Sequence, residues 1–114
     1  SFFVNPVLDA AALAAVEAAA RARYGPDTRV PRFETGDGLV KVPAAWLIER
    51  AGFTRGYNPG DGARISSKHT LALVNAGSAS TASLLSLARE IRDGVHATFG
   101  VTLAPEPILV NTTL

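Results

Sequence analysis

Apolar and polar positions alternate along this chain with two distinct periods. From Thr81 onward, Leu84, Leu87, Ala88, Ile91 and Val95 fall three or four residues apart, the stripe of an amphipathic helix. Ser80 or Thr81 caps this longest helix and Gly100 ends it. The alanine-rich run Ala10–Ala22 predicts a second helix, because alanine has the highest helix propensity. Asp9 is its expected N-cap and Gly25–Pro26 its stop. Within it Leu13, Val16 and Ala20 recur at helical spacing, and Glu17 and Arg21 form an i,i+4 pair in the favourable order. A third, short helix is expected over Ala44–Arg50, opened by Pro43 and closed by Gly52, with Trp46, Leu47 and Ile48 as a heavy apolar load.

Extended segments are fewer and shorter. Leu39–Val42 reads as a short strand, and Ala63–Ser66 with Thr70–Asn75 as two strands around a tight connection, the second broken by Gly77–Ser78. Val101–Leu103 and Pro107–Val110 are expected to be extended. Pro26, Pro31, Gly36 and Gly38 make Gly25–Gly38 an irregular connection, and Gly56–Gly62 is loop chemistry throughout. A small sheet of short strands, unevenly interspersed with about three helices, predicts an α+β fold, not a repeated βαβ unit. At 114 residues the chain is one domain, residues 1–114.

Composition narrows the chemistry. Hydrophobic residues are 47% and charged residues 18%, which argues against disorder. There is no cysteine, which excludes disulfides, a thiolate nucleophile and sulfur-based zinc sites. The two histidines have no carboxylates clustered with them in sequence, so no metal site is expected. A net charge of +1 is far from the basic balance of nucleic-acid binders. Mean hydropathy is +0.19, yet no apolar run reaches a membrane span of about 18 residues. Ser1–Pro6 lacks a basic leader pattern, so a cytoplasmic location is expected, with neither nucleic acid nor membrane as partner.

Few residues stand out as chemistry. His69, beside Lys68, reads as structural or solvent-facing, and His96 as a complement to a helix dipole. Between Glu49 and Lys68 four basic residues (Arg50, Arg55, Arg64, Lys68) face two acidic ones. A glycine-rich loop with such flanks can offer N–H groups and guanidinium forks to a diphosphate, or can simply be a solvated loop. No GxGxxG or GxxxxGK[ST] occurs, so the chain carries no nucleotide fingerprint of its own. In Pro105-Glu106-Pro107 the prolines stiffen the backbone around a carboxylate, which suits either electrostatic work or the entry to a last strand.

Four segments together resemble one family. Ser1-Phe2-Phe3-Val4-Asn5-Pro6 resembles the Ser-Phe-Phe-x-Asn-Pro motif of the UDP-N-acetylenolpyruvoylglucosamine reductases, flavoenzymes of peptidoglycan precursor synthesis. Ala44-Ala45-Trp46-Leu47-Ile48-Glu49 with Ala51-Gly52-Phe53 is similar to the family's Ala-x-Trp-Leu-Ile-(Glu/Asp) helix and following turn. Ser66 through Asn75 resembles its Ser-x-Lys-His…Val-Asn strand, and Leu103-Ala104-Pro105-Glu106-Pro107 its Leu-x-Pro-Glu segment. The motifs stand in family order and cover nearly the whole chain.

The resemblance is to the C-terminal, substrate-binding domain; the two preceding FAD-binding domains of such an enzyme are absent from this chain. It implies that NADPH reduces FAD and that a hydride then passes to the enolpyruvyl group of UDP-N-acetylglucosamine-enolpyruvate, giving UDP-N-acetylmuramate. The motif serine, the general acid, corresponds to Ser1, and the carboxylate that stabilises developing enolate-like charge to Glu106. UDP contacts correspond to Asn5 and to Arg55, which stands where the family often has lysine. A serine hydroxyl is a weak acid, but a carbanion or enolate is basic enough to take its proton in a preorganised site. The isolated chain is expected to bind neither FAD nor NADPH and to be inactive alone. A competing reading is a non-catalytic binding or interaction domain that shares the fold. Another is an interaction module built on the Ala10–Ala22 helix, although Leu13 and Val16 read as core-facing.

Overall fold

The computed structural model describes residues 2–60, 63–65, 73–75 and 81–106. Ser1, Lys68–His69, Ser80, Pro107–Val110 and the remaining residues of the two strands expected over 63–75 lie outside the described residues. The elements are β1 (Val7–Leu8), α1 (Ala10–Tyr24), β2 (Phe33–Glu34), β3 (Val40–Lys41), α2 (Ala44–Arg50), β4 (Ala63–Ile65), β5 (Leu73–Asn75) and α3 (Thr81–Phe99). The fold is α+β, as expected.

Helix α1 starts where its cap dictates: Asp9 Oδ1 accepts from Ala12 N–H at 2.8 Å. It runs two residues past the expected end at Ala22, to Tyr24, and Gly25 stops it at φ +112°. Glu17 bonds Arg21 at 2.9 Å, as the spacing predicts, and also Arg32 at 2.7 Å. The second pair staples α1 to the connection that follows it.

That connection is less irregular than its prolines and glycines suggest. It contains β2, which pairs antiparallel with β3, while β1 pairs with β3 on the other edge. The order is β1-β3-β2. Val7 and Phe33 flank Lys41, and Leu8 and Glu34 flank Val40. Because partners across a ladder share a face, Val7, Lys41 and Phe33 form the outer face. Phe33 is 64% exposed there, while Leu8 turns into the core. Gly36 and Gly38, at φ +87° and +82°, turn the β2–β3 hairpin. Its tip is held by Asp37, which accepts from the Thr35 hydroxyl and from Leu39 N–H.

Helix α3 is the spine. It packs on α1, α2 and the two-stranded β4-β5 sheet. Leu87, Ala88, Ile91 and Val95 are buried, as their spacing requires, with Leu84 packed at the margin. They meet Val16 and Ala20 of α1, Leu47 and Ile48 of α2, Ile65, and Phe3 and Leu103 from the two arms of the chain in one core. Gly100 ends α3 at φ +74°.

Candidate functional site

Two arms of the chain that are a hundred residues apart in sequence lie side by side. Phe3 and Pro105 form an antiparallel bridge, flanked by Val4 N–H to Ala104 O and Glu106 N–H to Phe2 O, both 2.8 Å. In this pattern the opposed pair itself exchanges no hydrogen bonds, so the N–H that proline lacks is not missed. Burial of Phe2 and Phe3, packed edge-on with ring centroids 5.0 Å apart, anchors the first arm. Leu103, equally buried, anchors the second. Glu106 is thereby held half-buried on a strip whose other side is the segment following Ser1. Ser1 itself lies outside the described residues.

Asn5, next on that strip, has a structural duty. Its Oδ1 accepts from Ala44 N–H at 2.9 Å, capping α2 across 39 residues of sequence. Pro43, at the local cap position, offers no side chain for this. The amide nitrogen of Asn5 keeps its two donor hydrogens for a ligand. The strip continues into β1 through Val42 N–H to Pro6 O at 3.0 Å.

Arg55 sits elsewhere. It is exposed in the Thr54–Tyr57 turn, beyond the far end of α2 from Asn5. The helix between them spans about 10 Å. No hydrogen bond or ion pair among the described residues joins Arg55 to Asn5 or Glu106. The structure therefore brings Glu106 and Asn5 onto one strip and leaves Arg55 on a separate one.

The basic stretch around Arg55 is smaller than its residue count suggests. The Arg50 guanidinium lies 5.5 Å from the centroids of both Tyr24 and Trp46, and Tyr24 Oη donates to Arg50 O. Arg50 thus lies against two aromatic rings while remaining exposed. His96 is exposed in the last turn of α3, where a cation complements the dipole.

Sequence reasoning missed one cluster. Tyr57 Oη donates to the Glu90 carboxylate on α3, and this bond raises the phenol above its ordinary value of 10.0. The Phe53 ring stacks edge-on against Tyr57. The partners are 33 residues apart, so no local signal announces the pairing.

The N-termini of α1 and α2, positions where a helix can hold an anion, are already capped by the side chains of Asp9 and Asn5. Among the described residues no group of three His, Asp or Glu could hold a metal ion, and no helix is long and apolar enough to cross a membrane.

A family model described as UDP-N-acetylenolpyruvoylglucosamine reductase, C-terminal domain, matches residues 1–110. Among curated relatives, UDP-N-acetylenolpyruvoylglucosamine reductase of Saccharopolyspora erythraea is 61% identical over 115 residues, covering 100% of this chain and 31% of its own length. Enzymes of the same name from Streptomyces avermitilis and Thermobifida fusca are 53% and 52% identical over 114 residues, again across 100% of this chain and 31% and 32% of their own lengths. The chain spans about a third of the curated relatives it matches.

Proposed function

The chain belongs to the UDP-N-acetylenolpyruvoylglucosamine reductase family, as its C-terminal domain, and from that premise we propose that it is the substrate-binding domain of such an enzyme. The parent would reduce the enolpyruvyl group of UDP-N-acetylglucosamine-enolpyruvate during peptidoglycan precursor synthesis. Residues 1–114 act as a single unit in this reading. In this reading FAD and NADPH, which supply the reducing equivalents, are held by the parent's FAD-binding domains.

The observation that carries the proposal is the Phe3–Pro105 bridge, which joins the first and last of the four motifs. Ser1 would donate the proton. Glu106, fixed through its backbone to Phe2, would stabilise charge developing on the substrate. The amide nitrogen of Asn5 and the guanidinium of Arg55 would contact UDP, the guanidinium as a fork on the diphosphate. Lying on separate strips, these two contacts suit an extended ligand that reaches from one to the other.

The test is an NMR titration of isotope-labelled protein with UDP-N-acetylglucosamine. Amide shifts clustering at Asn5, Arg55 and Glu106 are expected. Saturable shifts confined to other surfaces would overturn the assignment.

A further inference from the structure

The turn that carries Arg55 is short, and both of its ends are fastened to the same face of α3. At one end the Phe53 ring lies directly over Gly94. A Cβ at that glycine would stand 2.4 Å from Phe53 Cε2 and 2.6 Å from Cζ, well inside van der Waals contact. At the other end Tyr57 bonds Glu90, one helical turn before Gly94 on α3. The two anchors also hold each other, with ring centroids 5.1 Å apart at 82°.

The backbone is pinned as well. Phe53 N–H bonds Ile48 O of α2 at 3.1 Å, Tyr57 N–H bonds Thr54 O at 3.0 Å, and Tyr57 O accepts from the fully buried Ile65 at 2.8 Å. Arg55 lies midway, two residues from each anchor, and forms no hydrogen bond or ion pair with the described residues. A cation on a pinned turn with no described partner is preorganised for an anion, since less freedom remains to be lost on binding.

We infer that Phe53, Tyr57, Glu90 and Gly94 form a latch that sets the position of Arg55, making Tyr57 and Glu90 positioning residues for the diphosphate. The inference rests on the reading of Arg55 as a UDP contact and extends it to residues that touch no ligand. The raised phenol keeps Tyr57 a protonated donor across the neutral range.

The test is steady-state kinetics of the full-length enzyme, varying UDP-N-acetylglucosamine-enolpyruvate at saturating NADPH. Tyr57→Phe keeps the ring packing and removes the donor. It should raise the KM for the UDP-sugar about fivefold to tenfold, the scale of one hydrogen bond, with kcat within about twofold and the KM for NADPH unchanged. Glu90→Ala should match it, whereas Glu90→Gln, which keeps an acceptor oxygen, should stay near wild type. Arg55→Ala should raise KM further, and adding Tyr57→Phe to it should cost nothing more, because the latch acts only through Arg55. If Arg55→Ala raises KM while Tyr57→Phe and Glu90→Ala do not, the latch is wrong and the diphosphate reading stands. An additive double variant would also sink it, by making Tyr57 a direct contact. If Arg55→Ala leaves KM unchanged, the diphosphate reading has failed and the latch's purpose goes with it.

Discussion

Asn5 caps a helix that begins 39 residues later: its Oδ1 accepts the N–H of Ala44 at 2.9 Å, at a helix start whose own cap residue is Pro43. One side chain therefore stands at a structural joint and at a proposed ligand contact, using different atoms for each.

Substitution should separate the two duties. Asn5→Ala removes the cap and should destabilise the domain by about 1 kcal/mol in urea unfolding, besides weakening UDP binding. Asn5→Asp keeps an acceptor at the positive end of α2, so stability should hold while UDP affinity falls. Wild-type affinity in Asn5→Asp would show that the amide nitrogen makes no contact.

Gly94 and Phe53 make a pair that can be tested by reversal of sign. Alanine in place of glycine ordinarily favours a helix by about 1 kcal/mol. Here Gly94→Ala should instead destabilise by about 1–3 kcal/mol, since its Cβ meets the Phe53 ring. In a Phe53→Ala background the same substitution should become stabilising. Chemical denaturation of the four variants closes the cycle, and a destabilising effect in both backgrounds would count against the contact.

The hairpin tip predicts an acid response. Hydrogen bonds from Thr35, and then from the Leu39 backbone, hold the Asp37 carboxyl below its ordinary value of 3.8. A carboxylate lowered in the folded state stabilises above the unfolded value and loses that contribution as pH falls through the folded one. The β2–β3 hairpin should therefore loosen only below about pH 4. Thr35→Ala should move the Asp37 carbon-13 titration upward, toward 3.8, and an unchanged midpoint would remove Thr35 as the cause.

For the proposed chemistry, Ser1→Ala in the full-length enzyme should lower kcat by about a hundredfold or more, with the substrate KM little changed. Glu106→Gln should also lower kcat and leave the fold intact, because Glu106 is tied to Phe2 through its backbone and not its carboxylate. Calorimetric unfolding checks the second point, and a collapse in Tm would contradict it.

The helices were legible because their signals are local. Asp9, the Ala44–Arg50 boundaries and the Leu87–Val95 stripe all appear where spacing and capping put them. Strands β1 and β2 were not foreseen. Each is two residues long, too short to alternate, and exists only because β3 pairs with both. Val30 shows the same blindness, buried within a stretch whose prolines read as irregular. At the candidate site, Glu106 stood out through its flanking prolines. The cap by Asn5 and the grip of Glu90 on Tyr57 depend on residues brought together by folding, and no spacing rule reaches that far.

The Phe3–Pro105 bridge also sets an order of events during synthesis. A ribosome adding about 5–20 residues per second exposes the Ser-Phe-Phe arm seconds before the Pro-Glu arm exists. The helices can form meanwhile from local contacts, but the loop closed by the bridge spans nearly the whole domain and forms late. A polypeptide truncated before Ala104 would retain its helices and lack the strip on which Glu106 is held. Arrival of the Pro-Glu arm, and not merely collapse of the core, is thus the event that creates the strip on which Glu106 is held.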